Sequence, residues 1–199
     1  MRDSGGGVDI SAAVVRAAQG GDPAAVEAVV RVLYPLVSRW ALVKTGTAED
    51  AQDVTQETMI RVSKYIGRFD NRSRITTWAY QITANAAADH YRRGQRHLHM
   101  VDGSVEVATE ASEAPAPGDQ IDEKAAAGLV RAFFEELPER QREVFHLADL
   151  QGYRSSEVAE MLGMNAATVR GHLFRARRFI RRKILETNPK LVEAYGREL

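Results

Sequence analysis

Apolar residues recur at helical spacing along most of the chain. Val26, Val29, Val30, Leu33, Leu36, Val37 and Trp40 form one continuous stripe, as a helix with one buried face requires. Asp22-Pro23 starts that helix, with Asp as cap and Pro at the first helical position. Pro35 predicts a kink, and Thr45-Gly46-Thr47 closes the helix, with Thr47 or its neighbour capping the next. Ahead of it, Asp9 to Gln19 predicts a short helix ended by Gly20-Gly21. Ala48 to Arg68 places Val54, Thr58, Met59, Val62, Tyr65 and Ile66 on a buried face, opposite Asp53, Gln56, Glu57, Ile60 and Lys64. Phe69 to Thr77 reads as a polar loop, and a helix follows from Thr77 to Arg93. Residues 99–121 lose all periodicity and contain Pro-Ala-Pro-Gly. They predict a linker able to span about 75 Å when extended. Beyond it, Asp122 to Glu136 buries Leu129, Val130, Phe133 and Phe134. Pro138 opens the helix that runs to Leu150 and presents Val144, Phe145, Leu147 and Ala148.

Gly152 to Lys183 predicts a helix-turn-helix with a basic second helix. Ser155 is the expected cap of a helix carrying Val158, Ala159 and Leu162 at apolar positions. Gly163 breaks it, because the residue past a helix end often needs a positive φ. Asn165 caps a second helix from about Ala166. There Val169, Leu173, Ala176 and Ile180 share one face, while Arg170, Phe174, Arg175, Arg177, Arg178, Arg181 and Arg182 lie elsewhere. Cap, small residue at the crossing, turn glycine and arginine-rich second helix follow one another in the order a DNA-reading motif needs.

Formal net charge is zero, which would argue against a nucleic-acid binder if charge were evenly spread. Residues 22–98 carry 11 Lys and Arg against 8 Asp and Glu, and residues 137–183 carry 10 against 5. Residues 99–136 between them carry 2 against 9. Two basic lobes therefore flank an acidic connector. The expected fold is all-α: two small helical domains joined by a flexible acidic linker, the C-terminal one a helix-turn-helix. The boundaries are an N-terminal extension over 1–21, a first domain over 22–98, the linker over 99–121, a second domain over 122–185 and a tail over 186–199. There is no Cys, which excludes disulfides, thiolate metal sites and cysteine nucleophiles. His97 and His99 lack supporting carboxylates, so no metal site is expected. No apolar run approaches a membrane span, and the first residues lack a signal-peptide core; the expected location is cytoplasmic.

Two features of the first lobe have a bland and a functional reading side by side. Ile60 is a lone large apolar residue among Asp53, Gln56 and Glu57. Single exposed Ile residues are common, yet this setting also suits protein docking. Trp78 and Tyr80 are either core or, with Arg92, Arg93 and Arg96, a holder of unstacked bases.

Taken together, DVTQETMIRV (Asp53 to Val62), FDNRSRITTWAYQITANAAADHYRR (Phe69 to Arg93) and LPERQREVFHLADLQGYRSSEVAEMLGMNAATVRGHLFRARR (Leu137 to Arg178) resemble a bacterial RNA polymerase sigma factor. The branch is the minimal two-domain, extracytoplasmic-function type of the sigma-70 family, and the resemblance covers about residues 11–183. It implies that the first domain is sigma region 2 and the second sigma region 4. It further implies that Asp53, Gln56, Glu57 and Ile60 dock on core RNA polymerase. Phe69, Asn71, Arg72, Ser73, Arg74, Thr77, Trp78, Asn85, Arg92 and Arg93 would meet the minus-ten promoter element as it melts. Ser155, Thr168, Arg170, Gly171, His172, Phe174, Arg175 and Arg178 would meet the minus-thirty-five duplex. Core polymerase, promoter DNA and an anti-sigma factor are the implied partners, with no cofactor and no catalytic residue. The chain departs from the family pattern at Asn71, where glycine is usual, at Arg154, where Ser or Thr caps, and at Gly171-His172 in the recognition helix.

Two other classes compete. TVRGHL (Thr168 to Leu173) also resembles the recognition helix of a plain DNA-binding regulator, which has no need of a docking face on the first lobe. An enzyme acting on nucleic acid would need paired carboxylates. Asp53 and Glu57 lie on an exposed face, and Asp70 and Asp89 lack partners at metal-binding spacing.

Overall fold

The computed structural model describes residues 10–100 and 131–187. Among them every regular element is helical. The first lobe holds α1 (Ala12–Gln19), α2 (Pro23–Thr45), α3 (Ala48–Tyr65), a 3₁₀ turn (Ile66–Arg68) and α4 (Ile75–Met100). The second holds α5 (131–135), α6 (Glu139–Phe145) continuing into a π turn (His146–Leu150), α7 (Ser155–Leu162) and α8 (Ala166–Thr187).

Local signals set most boundaries. Ser11 accepts from the Val14 amide to cap α1, and Asp22 accepts from the Ala24 amide at 3.0 Å ahead of Pro23. Thr47 Oγ1 accepts from the Asp50 amide at 3.2 Å to start α3. Each cap satisfies an amide that the first helical turn leaves without a partner. The helix α2 runs as one element through Pro35, which stands exposed within it.

Three boundaries differ from expectation. The helix α4 begins at Ile75, not Thr77, so the polar loop shortens to residues 69–74. It also continues to Met100, past the expected helix end at Arg93. Pro138 precedes Glu139, the first residue of α6, and so acts as the cap residue. The first two residues of the expected linker, His99 and Met100, belong to α4; the rest of the linker, Leu129, Val130 and the expected turn at Leu191 to Tyr195 lie outside the described residues.

The stripe on α2 packs as its spacing requires, with Val29, Leu33, Val37 and Trp40 essentially inaccessible. The buried face of α3 supplies Val54, Thr58, Met59 and Val62. In the second lobe, Val169, Leu173, Ala176 and Ile180 of α8 are all buried. The main core cluster does not stop at the lobe boundary. It runs from Val29, Trp40 and Tyr80 to Val144, Leu147, Tyr153 and Val158, so the lobes share one apolar seam in which α7 packs on α4 and α6 on α2.

Candidate nucleic-acid interface

The helix-turn-helix forms as its sequence predicts, with one correction. Arg154, not Ser155, is the cap residue of α7, and Ser155 is the first helical residue. The cap works in reverse: the Arg154 amide donates to Glu157 Oε2 at 2.8 Å. The acid three residues on thus supplies the half of a capping box that a Ser or Thr cap leaves to it. Gly163 takes φ 63° at the helix end, and the Thr168 amide donates to Asn165 Oδ1 at 2.7 Å to open α8.

The outward face of α8 carries Thr168, Arg170, Phe174, Arg175 and Arg178, all exposed, with Phe174 66% accessible. Gly171 and His172 are half-buried beside them. The guanidinium of Arg175 lies 3.3 Å from His172 Nδ1. Burial first, then the charges of Arg175 and Arg140, lower the His172 pKa, so the ring is neutral at pH 7. Gly171 has helical backbone, and a Cβ there would meet only the Arg175 guanidinium at 3.8 Å.

In the first lobe, the predicted minus-ten residues divide. Asn71, Arg72 and Arg74 are exposed, Ser73 is half-buried on the same loop, and Asn85 and Arg92 are exposed on α4. Asn71 adopts φ 58°, the left-handed region. That backbone favours glycine, and Asn tolerates it best among other residues. Phe69 and Thr77 are buried, at 6% and 1% accessible. Phe69 packs on the half-buried Trp78 with ring centroids 5.3 Å apart, so Phe69 supports the loop from beneath. Arg74 forms an ion pair with Glu157 of the second lobe.

The predicted docking residues come together. Asp53, Gln56, Glu57 and Ile60 line one wall of a groove of about 480 Å³ between α3 and α4. Ile60 is 54% accessible. The opposite wall is His90, Arg93 and Gly94. Arg93 therefore faces the acidic groove, on a different side of α4 from its neighbour Arg92, which pairs with Asp89.

Sequence reasoning missed a charge chain linking these faces. Arg61 Nε donates to Glu57 at 2.7 Å, its NH2 donates to Asp89 at 3.1 Å, and Asp89 also holds Arg92. The bonds from Arg92 and then Arg61 hold the Asp89 carboxyl below the usual range. His90 Nε2 lies 2.7 Å from Asp50, tying α4 to the start of α3.

It also missed the polar seam between the lobes. Glu143, 3% accessible, receives Lys44 at 2.5 Å, Arg140 at 3.0 Å and the Tyr80 hydroxyl at 3.4 Å. Trp40 Nε1 donates to Gln151 Oε1 at 2.8 Å. One signal was present in the sequence. Lys44 falls four residues beyond Trp40 on the apolar stripe, and Glu143 four before Leu147, so each is a charge in register with a buried face. Among the described residues, no cluster of His, Asp and Glu could hold a metal ion. No described helix is long and apolar enough to cross a membrane.

Comparisons with known proteins bear on the family and the fold. The family model for sigma-70 region 2 matches residues 29–97, and that for sigma-70 region 4 matches residues 127–180. A probable RNA polymerase sigma factor, RfaY of Xanthomonas campestris, is 31% identical over 156 residues; the match covers 75% of this chain and 38% of that protein. The ECF RNA polymerase sigma factor SigM of Mycobacterium tuberculosis is 29% identical over 158 residues, covering 79% of this chain and 76% of the relative. Two solved structures share the fold. The sigma factor RpoE of Bartonella quintana, in complex with the anti-sigma factor NepR, gives a TM-score of 0.62 at 20% identity, covering 79% of this chain and 95% of that one. CnrH, in complex with the cytosolic domain of CnrY, gives 0.63 at 21% identity, covering 88% and 97%.

Proposed function

The chain belongs to the sigma-70 family of RNA polymerase sigma factors, in its extracytoplasmic-function branch, and from that premise we propose how its two lobes divide the work of promoter recognition. As a sigma factor it binds core polymerase and directs transcription initiation. The proposed docking site is the groove of Asp53, Gln56, Glu57 and Ile60. The proposed minus-ten reader is the loop of Asn71, Arg72, Ser73 and Arg74 with Asn85, braced by Phe69 and Trp78. The proposed minus-thirty-five reader is the exposed face of α8, led by Arg170, Phe174 and Arg175.

The observation that supports this division best is spatial. The acidic groove lies between α3 and α4, the polar loop precedes α4 and the basic recognition helix is α8, so polymerase and two stretches of DNA would each meet a different element of the chain. A DNA-binding regulator without polymerase docking is not favoured, since its first lobe would have no use for the region 2 match or the groove. The reading assigns no bond-making step to this chain and places its work in the cytoplasm with polymerase. An anti-sigma factor is a proposed partner, by analogy with the Bartonella neighbour.

The test is run-off transcription with core polymerase over a promoter library. Asn85→Ala should impair opening while leaving duplex binding by the second lobe intact. Arg170→Ala or Arg175→Ala should weaken minus-thirty-five binding by about 1–3 kcal/mol per base contact. Equal loss of both activities in every variant would overturn the division.

A further inference from the structure

The polar loop ahead of α4 is held from outside, by a residue of the expected N-terminal extension. Gln19 is the last residue of α1 and is half-buried. Its Nε2 donates to the Phe69 carbonyl at 2.5 Å, and its Oε1 accepts from Asn71 Nδ2 at 3.4 Å. One amide from 50 positions upstream thus grips the start of the loop and Asn71, the residue whose φ is 58°. Its base is firm. Val15 and Ala18 of α1 are buried in the same core cluster as Ile66 and Phe69. Directly behind Gln19, the Gly21 and Asp22 amides donate to the Ala18 and Ala17 carbonyls and close the turn into α2.

These bonds have a direction. A backbone carbonyl only accepts, so Phe69 draws the amino end of the Gln19 amide towards itself. The carbonyl end of Gln19 is left for Asn71, and it can receive only the Asn71 amino group. Asn71 stands exposed, and Oδ1 is the end of its amide that this arrangement leaves for a ligand. An untethered amide offers donor and acceptor alike and suits either kind of base edge. A tethered one offers the acceptor.

We infer that Gln19 is a positioning residue for minus-ten recognition, one that acts through Asn71 to set which base the loop prefers. The identity of that base as part of the melted minus-ten strand rests on the sigma-factor reading. An acceptor at Asn71 favours a base that offers an exocyclic amino group. Adenine, cytosine and guanine carry one, whereas thymine has a carbonyl oxygen where adenine and cytosine have it. The loop therefore discriminates against thymine, and the helix ahead of α2 is part of the reading site.

The experiment uses the full chain. Run-off transcription with core polymerase, over a promoter library randomised through the minus-ten element, reads base preference. Trypsin cleavage after Arg72 in the free chain reads how firmly the loop is held. Gln19→Leu removes both bonds at similar bulk. Gln19→Lys keeps a donor for the Phe69 carbonyl and offers Asn71 no acceptor; it also serves should the first variant not fold. The unaltered chain should disfavour thymine at one minus-ten position about fivefold, the size of one hydrogen bond. Both variants should lose that discrimination and keep their minus-thirty-five preference. Any phosphate attraction that the lysine adds is uniform across sequences. Cleavage after Arg72 should quicken in Gln19→Leu and not in Gln19→Lys. Asn71→Gly should lose the same discrimination, and adding Gln19→Leu to it should remove nothing further. A loss spread evenly over all bases would make Gln19 a structural residue only and overturn the inference, as would an unaltered chain indifferent to thymine. Failure to initiate with core polymerase would overturn the sigma-factor reading and this assignment with it. Initiation with a base preference that ignores Gln19 would sink this assignment alone.

Discussion

The indole of Trp40 donates to Gln151 across the seam, and the same amide reaches His146 on its other side. Gln151 Oε1 accepts from Trp40 at 2.8 Å, and Gln151 Nε2 stands 2.8 Å from His146 Nε2. The amide can serve both only if His146 is a neutral acceptor at that nitrogen. Trp40→Phe keeps the ring's bulk and removes the donor, leaving a part-buried acceptor unpaired. Its expected cost is about 1–2 kcal/mol, measurable in urea titrations.

The same relay predicts a pH dependence. Burial, and secondarily the charge of Arg39, push His146 down to about 4 from 6.5. The fold thus holds this ring neutral, while the unfolded chain takes up a proton below about 6.5. The stabilisation is complete above that pH and is lost progressively as pH falls towards 4, by roughly 3 kcal/mol in all. Melting temperatures measured from pH 7.5 to 4 should fall across this window, and the fall should flatten in His146→Gln.

Asp89 and Arg92 give a prediction for DNA. In the free chain the Arg92 charge is already answered by Asp89, which Arg61 also holds. Asp89→Asn should free Arg92 for a phosphate and steepen the salt dependence of single-strand binding by about 0.7, one added contact. An unchanged slope would show that Arg92 does not reach the backbone.

Gly171 lies in a helical stretch where an added Cβ would make only an ordinary van der Waals contact with the Arg175 guanidinium, at 3.8 Å. Gly171→Ala should raise the stability of the second lobe by up to about 1 kcal/mol, seen as a higher melting temperature. Weaker minus-thirty-five binding by this more stable variant would identify close approach of DNA as the reason for the glycine.

Asn71 holds a positive φ in the polar loop ahead of α4. Asn71→Gly should be neutral or slightly stabilising. Asn71→Val forces a branched side chain into the left-handed region and should cost about 1–2 kcal/mol by thermal melting.

The helix-turn-helix was legible in the sequence because its determinants are local. Gly163 and Asn165 act within one turn of the residues they serve, and the stripe Val169, Leu173, Ala176 and Ile180 declares its own buried face. That Asp53, Gln56, Glu57 and Ile60 share one surface was legible for a similar reason, since they lie on one helix. The opposite wall was not, because His90 and Arg93 reach it only through the packing of α4 on α3. Phe69 and Thr77 read as loop residues because burial depends on what lies beneath, and a polar neighbourhood in sequence does not report it. The seam is the extreme case. Lys44 and Glu143 are 99 positions apart, and each taken alone is an odd charge on an apolar face. Only their meeting explains either.

The helix α4 continues without a break from Ile75 at the reading loop to Met100, a rod of about 39 Å at 1.5 Å per residue. The bearing of Met100 relative to Ile75 is thus fixed by helical phase. Two residues inserted near Gly94 would lengthen the rod by only about 3 Å but swing its end through about 200°. Such an insertion alters the rod far more through rotation than through length.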